Sequence, residues 1–495
     1  MFLNKRSSFI SGMICGLSFA PVFFIVGIFM LSILCFQISR SQSRKQAVTY
    51  SYLFGLGFFL TTLYWISLCL TVYIEEFWWL IPFALFGIPA SMALFTAFHG
   101  MISWQFRNNY LYHFIFCFIW IFVEWLSSWL FTGFPWGLVG YAFSISDLSI
   151  QAASIFGILG LSFVAVYIGS SLYSTNMLIP RVITAILLCI ALLTFGYYRL
   201  QHYPVELSDV KIRIVQPSIP QISKWSPEIF WQNLDKHISL SKQDGDPDII
   251  LWSESALTVP YYRSYIKEVL IPSFSKNNQV LLTGGINDNA KLGDDYKLYA
   301  SLIGIDNKGN LLFDYHKSHL VPFGEYIPLN DYLPLQKITH GMVDYSSGER
   351  EIIHLKELDL KIQPLICYES IFSSEVRVDN INADVIINVT NDAWYGNSSG
   401  PYQHFEISKM RAIENGLPMV RAANNGISAI IDPLGRVIKI LGLDEVAVID
   451  GYIPLKLDRA TIYSEWGNIA LLFCMFFVLM IQSTIVLLYR WFLRR

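Results

Sequence analysis

The sequence predicts a membrane α-helical bundle of about eight transmembrane helices that carries one α/β soluble domain. Three observations predict it. Of 495 residues, 54% are hydrophobic and only 15% charged, where a soluble protein would carry about 25% charged residues. The composition also shifts along the chain: residues 1–200 and 467–493 are almost continuously apolar, and the segment between them reads as an ordinary globular domain. Inside that segment, short β-branched runs alternate with helical patterns, as they do in α/β folds. The net charge of −3 leaves no electrostatic footprint for a nucleic acid.

A helix crosses a bilayer with about 20 apolar residues. Spans are read near 8–20, 22–38, 48–73, 78–105, 110–131, 150–174, 180–199 and 467–489. The first is short, and Pro21 separates it from the second as a hairpin or re-entrant pair. The start resembles a signal peptide, with Lys5 and Arg6 ahead of an apolar run. It has no clear small-x-small cleavage site, so a retained anchor is expected. With eight spans, Lys5, Arg6, Arg40, Arg44, Lys45, Arg107, Arg181, Arg490, Arg494 and Arg495 share one side, and Arg199 is the exception. The opposite loops carry Glu75, Glu76 and Asp147. The positive-inside rule then places both termini in the cytoplasm and the soluble domain outside. The expected division is 1–204, 205–463 and 464–495. Glu124 is ionisable within the fifth span, which marks it for function or for solvation at the outer interface.

In the soluble domain, strands are expected at "VKIRIVQPS", "DIILWSES", "QVLLTGGI", "YASLIGID", "IQPLICYES", "ADVIINVTND", "NGISAIIDP" and "EVAVIDGYI". Helices are expected at "SPEIFWQNLDKHISLSKQ", "SYIKEVLIPSFSKNN" and "YQHFEISKMRAIENG", the first with Ser226 as N-cap and Pro227 in its first turn.

Polar residues just after buried runs face crevices. Three stand out: Glu254 in "ILWSESA", Lys317 in "DYHKSHLVPFGEYIP" and Cys367 in "LICYESI". Six of the seven cysteines lie in the apolar segments; Cys367 alone sits in the polar domain. A free thiol is only a few per cent thiolate at neutral pH, so a carboxylate beside it would take its proton as sulfur attacks. A lysine ammonium with backbone N–H groups would hold the oxyanion. Base, electrophile and nucleophile form an acyl-transfer set that requires no cofactor. Each residue type also has a structural use: a buried Cys as a small core residue, Glu254 as a cap or salt bridge, Lys317 as a solvated charge. His316 and His319 would face opposite sides of a strand and do not make a metal site. "TGGIND" lacks a phosphate-loop context and reads as a turn. The sequons "NVT" and "NSS" carry no weight without a glycosylating compartment.

The motifs "WSESA", "HKSHLVPFGEYIPL", "ICYESIF", "NVTNDAWYG" and "RAANNGISAIIDPLGR" resemble the carbon–nitrogen hydrolase (nitrilase) superfamily. Together with "LFTGFPWGLVGY" in the apolar part, the whole chain resembles the bacterial apolipoprotein N-acyltransferase family. The resemblance implies a nitrilase-like αββα sandwich, with Glu254 as general base, Lys317 as oxyanion stabiliser and Cys367 as nucleophile. It implies supporting roles for Glu325, Tyr368 and Glu369, and substrate-facing positions for Trp225 and Trp394. Ser253 departs from the family, where Pro often precedes the glutamate. The implied partners are a membrane phospholipid as acyl donor and diacylglyceryl apolipoproteins as acceptors, with the protein working as a monomer in the bacterial inner membrane, its catalytic domain periplasmic. The implied reaction passes an sn-1 acyl chain through a thioester to an N-terminal α-amine by ping-pong steps. Residues 339–349 are a candidate lid. Two rivals are a tethered amidase acting on small amides and a lipid receptor with a vestigial triad.

Overall fold

The computed structural model describes residues 4–173, 177–261, 264–289, 296–328, 343–377 and 382–493. Part of the candidate lid, 339–342, and the basic residues Arg494 and Arg495 lie outside the described residues. Helices run over Lys5–Gly16, Ile25–Arg40, Arg44–Leu63, Phe83–Phe106, Tyr112–Ser127, Ala153–Ser170, Leu178–His202 and Ile469–Leu493. Among the described residues, four helices are long and apolar enough to cross a membrane: Phe83–Phe106, Ala153–Ser170, Leu178–His202 and Ile469–Trp491. The segment read as one span at 48–73 is cut, because the helix stops at Leu63 and resumes only as the single turn Ile66–Cys69. Small residues set the packing. A Cβ on Gly12 would stand 1.9 Å from the Phe54 carbonyl oxygen, and one on Gly57 would stand 2.1 Å from that of Phe9. The first and third helices therefore touch backbone to backbone, as glycine allows in an apolar medium.

Among the described residues, the soluble domain holds twelve strands in two six-stranded sheets. One sheet has the order β12 (Ala447–Pro454), β1 (Leu207–Gln216), β2 (Ile249–Trp252), β3 (Val280–Asp288), β4 (Leu298–Asp306), β5 (Leu311–His316). The other has β11 (Val437–Leu441), β10 (Ser428–Ile431), β9 (Met419–Ala423), β8 (Val385–Thr390), β7 (Leu360–Ile366), β6 (Ile353–Leu355). The centres are parallel, β1–β2–β3 and β7–β8–β9, with antiparallel strands at the flanks. Alternation explains why the central strands are continuously apolar. Ile249 and Leu251 point between the sheets while Ile250 and Trp252 pack outward under helices, so both faces are buried. Ile387 and Val389 meet that inner layer from the other sheet. This is the two-sheet, helix-covered architecture expected.

The helix Ser399–Asn415 joins domain to bundle. Phe405 and Ala412 pack against the second sheet, and Ile407, Met410 and Ile413 join the apolar cluster of the membrane helices. Hydrogen bonds cross the same seam: Trp136 Nε1 donates to Gln403 Oε1 at 2.8 Å and the Ile158 N–H to Glu414 Oε1 at 2.8 Å.

Three local expectations are corrected. "TGGIND" is no turn: β3 runs straight through it, and its glycines are a close approach rather than a bend. Ser226 stands at the start of the 3-10 turn Pro227–Ile229, but its hydroxyl pairs with the Glu228 carboxylate instead of capping a backbone N–H. Strands β5, β6, β9 and β11 were not anticipated as separate elements.

Candidate active site

Each of the three strand-end residues is set by local backbone. Cys367 follows β7 and opens the 3-10 turn Cys367–Ile371 with φ +50°, a conformation that costs a non-glycine residue about 1–3 kcal/mol. Glu369 holds this turn. Its carboxylate accepts the Ile366 N–H at 2.7 Å, and the Ser318 N–H and hydroxyl at 2.7 Å each, with the Tyr315 hydroxyl at 3.2 Å. One buried carboxylate thus ties the Cys367 turn to the strand end that carries Lys317.

Lys317 follows β5 and is 1% exposed. Its Nζ donates to Glu325 Oε1 at 2.7 Å and lies 3.7 Å from Glu254 Oε1. Glu325 is held in turn by the Val321 N–H on its Oε2 at 2.7 Å. Glu254 follows β2, beside Ser255 at φ +52°. A Cβ on Gly284 would stand 2.5 Å from Glu254 Cα, so a side chain at 284 would displace the strand end that carries the carboxylate. The Cys367 thiol is buried beside this pair and feels the charges of both Glu254 and Lys317.

The electrostatics follow from burial. Burial and then the charge of Glu254 push the Cys367 thiol up to about 12, with Lys317 opposing. At neutral pH the thiol keeps its proton, and reaction needs a base. Burial also raises the Glu254 carboxyl, and Lys317 works against it; a carboxylate above its usual range is a better proton acceptor. Burial disfavours the Lys317 ammonium, but Glu325 and Glu254 outweigh it and hold Lys317 above its ordinary value. Lys317 is a fixed cation.

Behind Cys367 lies a second charged cluster. His404 Nδ1 pairs with Asp392 Oδ1 at 2.8 Å, and its Nε2 lies 3.3 Å from the Cys367 carbonyl oxygen and 3.1 Å from Ser370 Oγ. An Arg421 nitrogen donates to Asp392 Oδ2 at 2.9 Å and another to Ser408 Oγ at 2.9 Å. Against burial, which raises it, Arg421 and His404 hold the Asp392 carboxyl below its usual range.

The remaining expected residues occupy distinct places. The Tyr368 hydroxyl donates to the Gly133 carbonyl at 3.1 Å, linking the residue after Cys367 to the "TGFPW" loop of the bundle. Trp225 is half-buried and follows Lys224, whose Nζ donates to the Glu254 carbonyl oxygen at 2.7 Å. Trp394 is half-buried, with its ring centroid 6.2 Å from that of Tyr73 in the membrane part. His316 stacks on Tyr299 and bonds Ser301, whereas His319 stacks on Phe372 and pairs with Glu375. Glu124 is 8% exposed, which rules out solvation at the interface. Its Oε1 accepts the Trp120 indole and the Val139 N–H at 2.9 Å each, fixing the segment that follows "TGFPW". Sequence reasoning missed Lys224, Asp392, His404 and Arg421. The last three fall inside quoted stretches, but nothing local in those stretches says that their side chains turn toward the strand ends.

Comparison with known proteins bears on the whole chain. The family model described as carbon-nitrogen hydrolase matches residues 211–463. The model described as apolipoprotein N-acyltransferase N-terminal domain matches residues 11–171. The chain is 51% identical over 487 residues to the apolipoprotein N-acyltransferase of Rickettsia bellii (strain RML369-C), covering 97% of this chain and 98% of that one. It is 48% identical over 494 residues to that of Rickettsia prowazekii (strain Madrid E), with 99% and 100% covered. A more distant relative, from Brucella melitensis biotype 1, is 36% identical over 481 residues, with 91% and 90% covered.

Proposed function

The chain belongs to the apolipoprotein N-acyltransferase family, and from that premise we propose that it moves the sn-1 acyl chain of a membrane phospholipid to the α-amine of a lipoprotein's N-terminal S-diacylglyceryl-cysteine, through a thioester on Cys367. In the first half-reaction Cys367 Sγ attacks the ester carbonyl carbon and its proton passes to Glu254. The Lys317 ammonium, with backbone N–H groups, holds the oxyanion. Collapse breaks the ester C–O bond, and Glu254 returns the proton to the departing lysophospholipid oxygen. In the second half-reaction a neutral α-amine, with a pKa near 8, attacks the thioester carbonyl. Glu254 takes the amine proton and passes it to the departing thiolate, which restores the enzyme. Splitting the transfer replaces one difficult step by two easier ones.

The observation that carries this reading is the buried set of Glu254, Lys317 and Cys367, with Lys317 Nζ 3.7 Å from Glu254 Oε1 and the charges of both acting on the Cys367 thiol. Glu325, Tyr368 and Glu369 support the three, and Trp225 and Trp394 face the substrates. A bilayer donor calls for a site at the membrane surface. The Tyr368–Gly133 hydrogen bond, from the residue beside the nucleophile into the bundle, supports that placement. The protein is a bacterial membrane protein. In this reading it spans the inner membrane eight times as a monomer, with both termini cytoplasmic and residues 205–463 in the periplasm. The test is acyl transfer by the purified full chain, supplied with phospholipid and a diacylglyceryl-cysteine peptide. N-acyl peptide should form only when both are present. Hydrolysis of small amides with no need for phospholipid would contradict it.

A further inference from the structure

Lys224 ends the short helix Gln221–Lys224 and is 4% exposed. Its Nζ hydrogen bond, 2.7 Å to the backbone carbonyl of Glu254, anchors the residue proposed as base. That anchoring falls where the backbone is under strain, with Ser255 at φ +52° next along the chain. Four ionised side chains meet here: Glu254 and Glu325 as anions, Lys317 and Lys224 as cations. The other titratable groups acting on the cluster are the Cys367 thiol, Tyr345, Tyr368, Tyr395, Asp392 from behind Cys367, and His237 beside Lys224. The four charges sum to zero. Without Lys224 a buried site would hold two carboxylates against a single ammonium, and one carboxylate would keep a proton.

We propose that Lys224 is a positioning residue for Glu254: it fixes the backbone behind the carboxylate and supplies the positive charge that lets Glu254 stay ionised although Glu325 shares Lys317. This rests on the acyl-transfer reading above. Lys224 acts through Glu254 and not on the substrate. Burial lowers the Lys224 ammonium to about 8, with Glu254 and Cys367 opposing, so it carries its charge at neutral pH.

The sign of the effect is fixed. A nearby cation lowers a carboxyl pKa, so removing it raises the pH at which Glu254 gains its proton. The test is the pH profile of single-turnover thioester formation on the full chain with phospholipid alone, read by intact mass. In Lys224→Met and Lys224→Gln the acidic limb should move up by about one pH unit, and in Lys224→Arg it should stay with the wild type. Lys224→Gln keeps a donor for the Glu254 carbonyl but no charge, and so separates charge from anchoring. A Lys224→Gln limb superimposed on the wild type, or a loss in Lys224→Met that is uniform across pH, would overturn the proposal. A wild type that forms no thioester at any pH would take down the acyl-transfer reading as well, and that failure is visible without any variant.

Discussion

Two buried charged clusters flank Cys367, and they are built differently. The rear cluster of Asp392, His404 and Arg421 is sealed, with all three side chains 0% exposed. It is also nearly saturated: both Asp392 oxygens are engaged, and Arg421 reaches Asn388, Ser408 and the Ile427 carbonyl. The front cluster of Glu254, Lys317 and Glu325 leaves its carboxylates 12% exposed. The separation of Lys317 from Glu254, 3.7 Å, is too long for a full hydrogen bond. A saturated network holds a backbone in a strained conformation; a partly open one leaves groups free to react. The rear cluster fixes where Cys367 is, and the front cluster decides what it can do.

Substitutions on the two sides should therefore fail in different ways. The largest effect belongs to the shared centre: Cys367→Ser should form no thioester at all. Next, Glu254→Gln should slow thioester formation about 10²–10⁴-fold while denaturant unfolding moves little, because the side chain keeps its volume. Matched losses of stability and rate in Glu254→Gln would erase the distinction between the clusters. In the rear, Arg421→Met leaves Asp392 buried without its partner and should cost about 3–5 kcal/mol of stability, measured by denaturant unfolding in detergent. Unchanged stability there would show that the rear cluster does not hold the fold. The pH response sharpens the comparison. Burial raises the Glu254 carboxyl, and in the proposed reaction it accepts a proton only when ionised. Thioester formation should fall on acidification through a value above the ordinary carboxylate range, while Asp392 in the rear, held ionised by Arg421 and His404, stays charged there. An acidic limb at the ordinary carboxylate value would contradict the burial of Glu254. The smallest effect is expected for Tyr368→Phe, which loses one hydroxyl bond to Gly133, worth about 1 kcal/mol.

The front cluster was far more legible in the sequence than the rear. Glu254 and Cys367 each follow a buried central strand, one in each sheet, and Lys317 follows β5 at the flank of the first sheet, so a polar residue after each strand marked the site. Asp392 and His404 sit in "NDAW" and "YQHFE", where a turn acid and a helical His have many uses. Their meeting with Arg421 depends on β8 pairing with β9, a non-local contact that no local pattern announces. The same limit hid strands. "MVRAA" follows a helix almost without a break, and "VIKIL" is a half-exposed edge, so neither carries the alternation by which a strand is recognised. The bundle was legible as apolar length but not in its breaks. The 48–73 segment stays hydrophobic past Leu63 although the helix does not, because hydropathy reports the solvent and not the backbone.

The central claim is that Cys367 carries the acyl chain between donor and acceptor, and intact mass spectrometry of the full chain after incubation with phospholipid alone tests it most directly. The account predicts one added acyl group, removed by hydroxylamine and absent from Cys367→Ser. An unmodified wild-type chain, or the same adduct on Cys367→Ser, would contradict it.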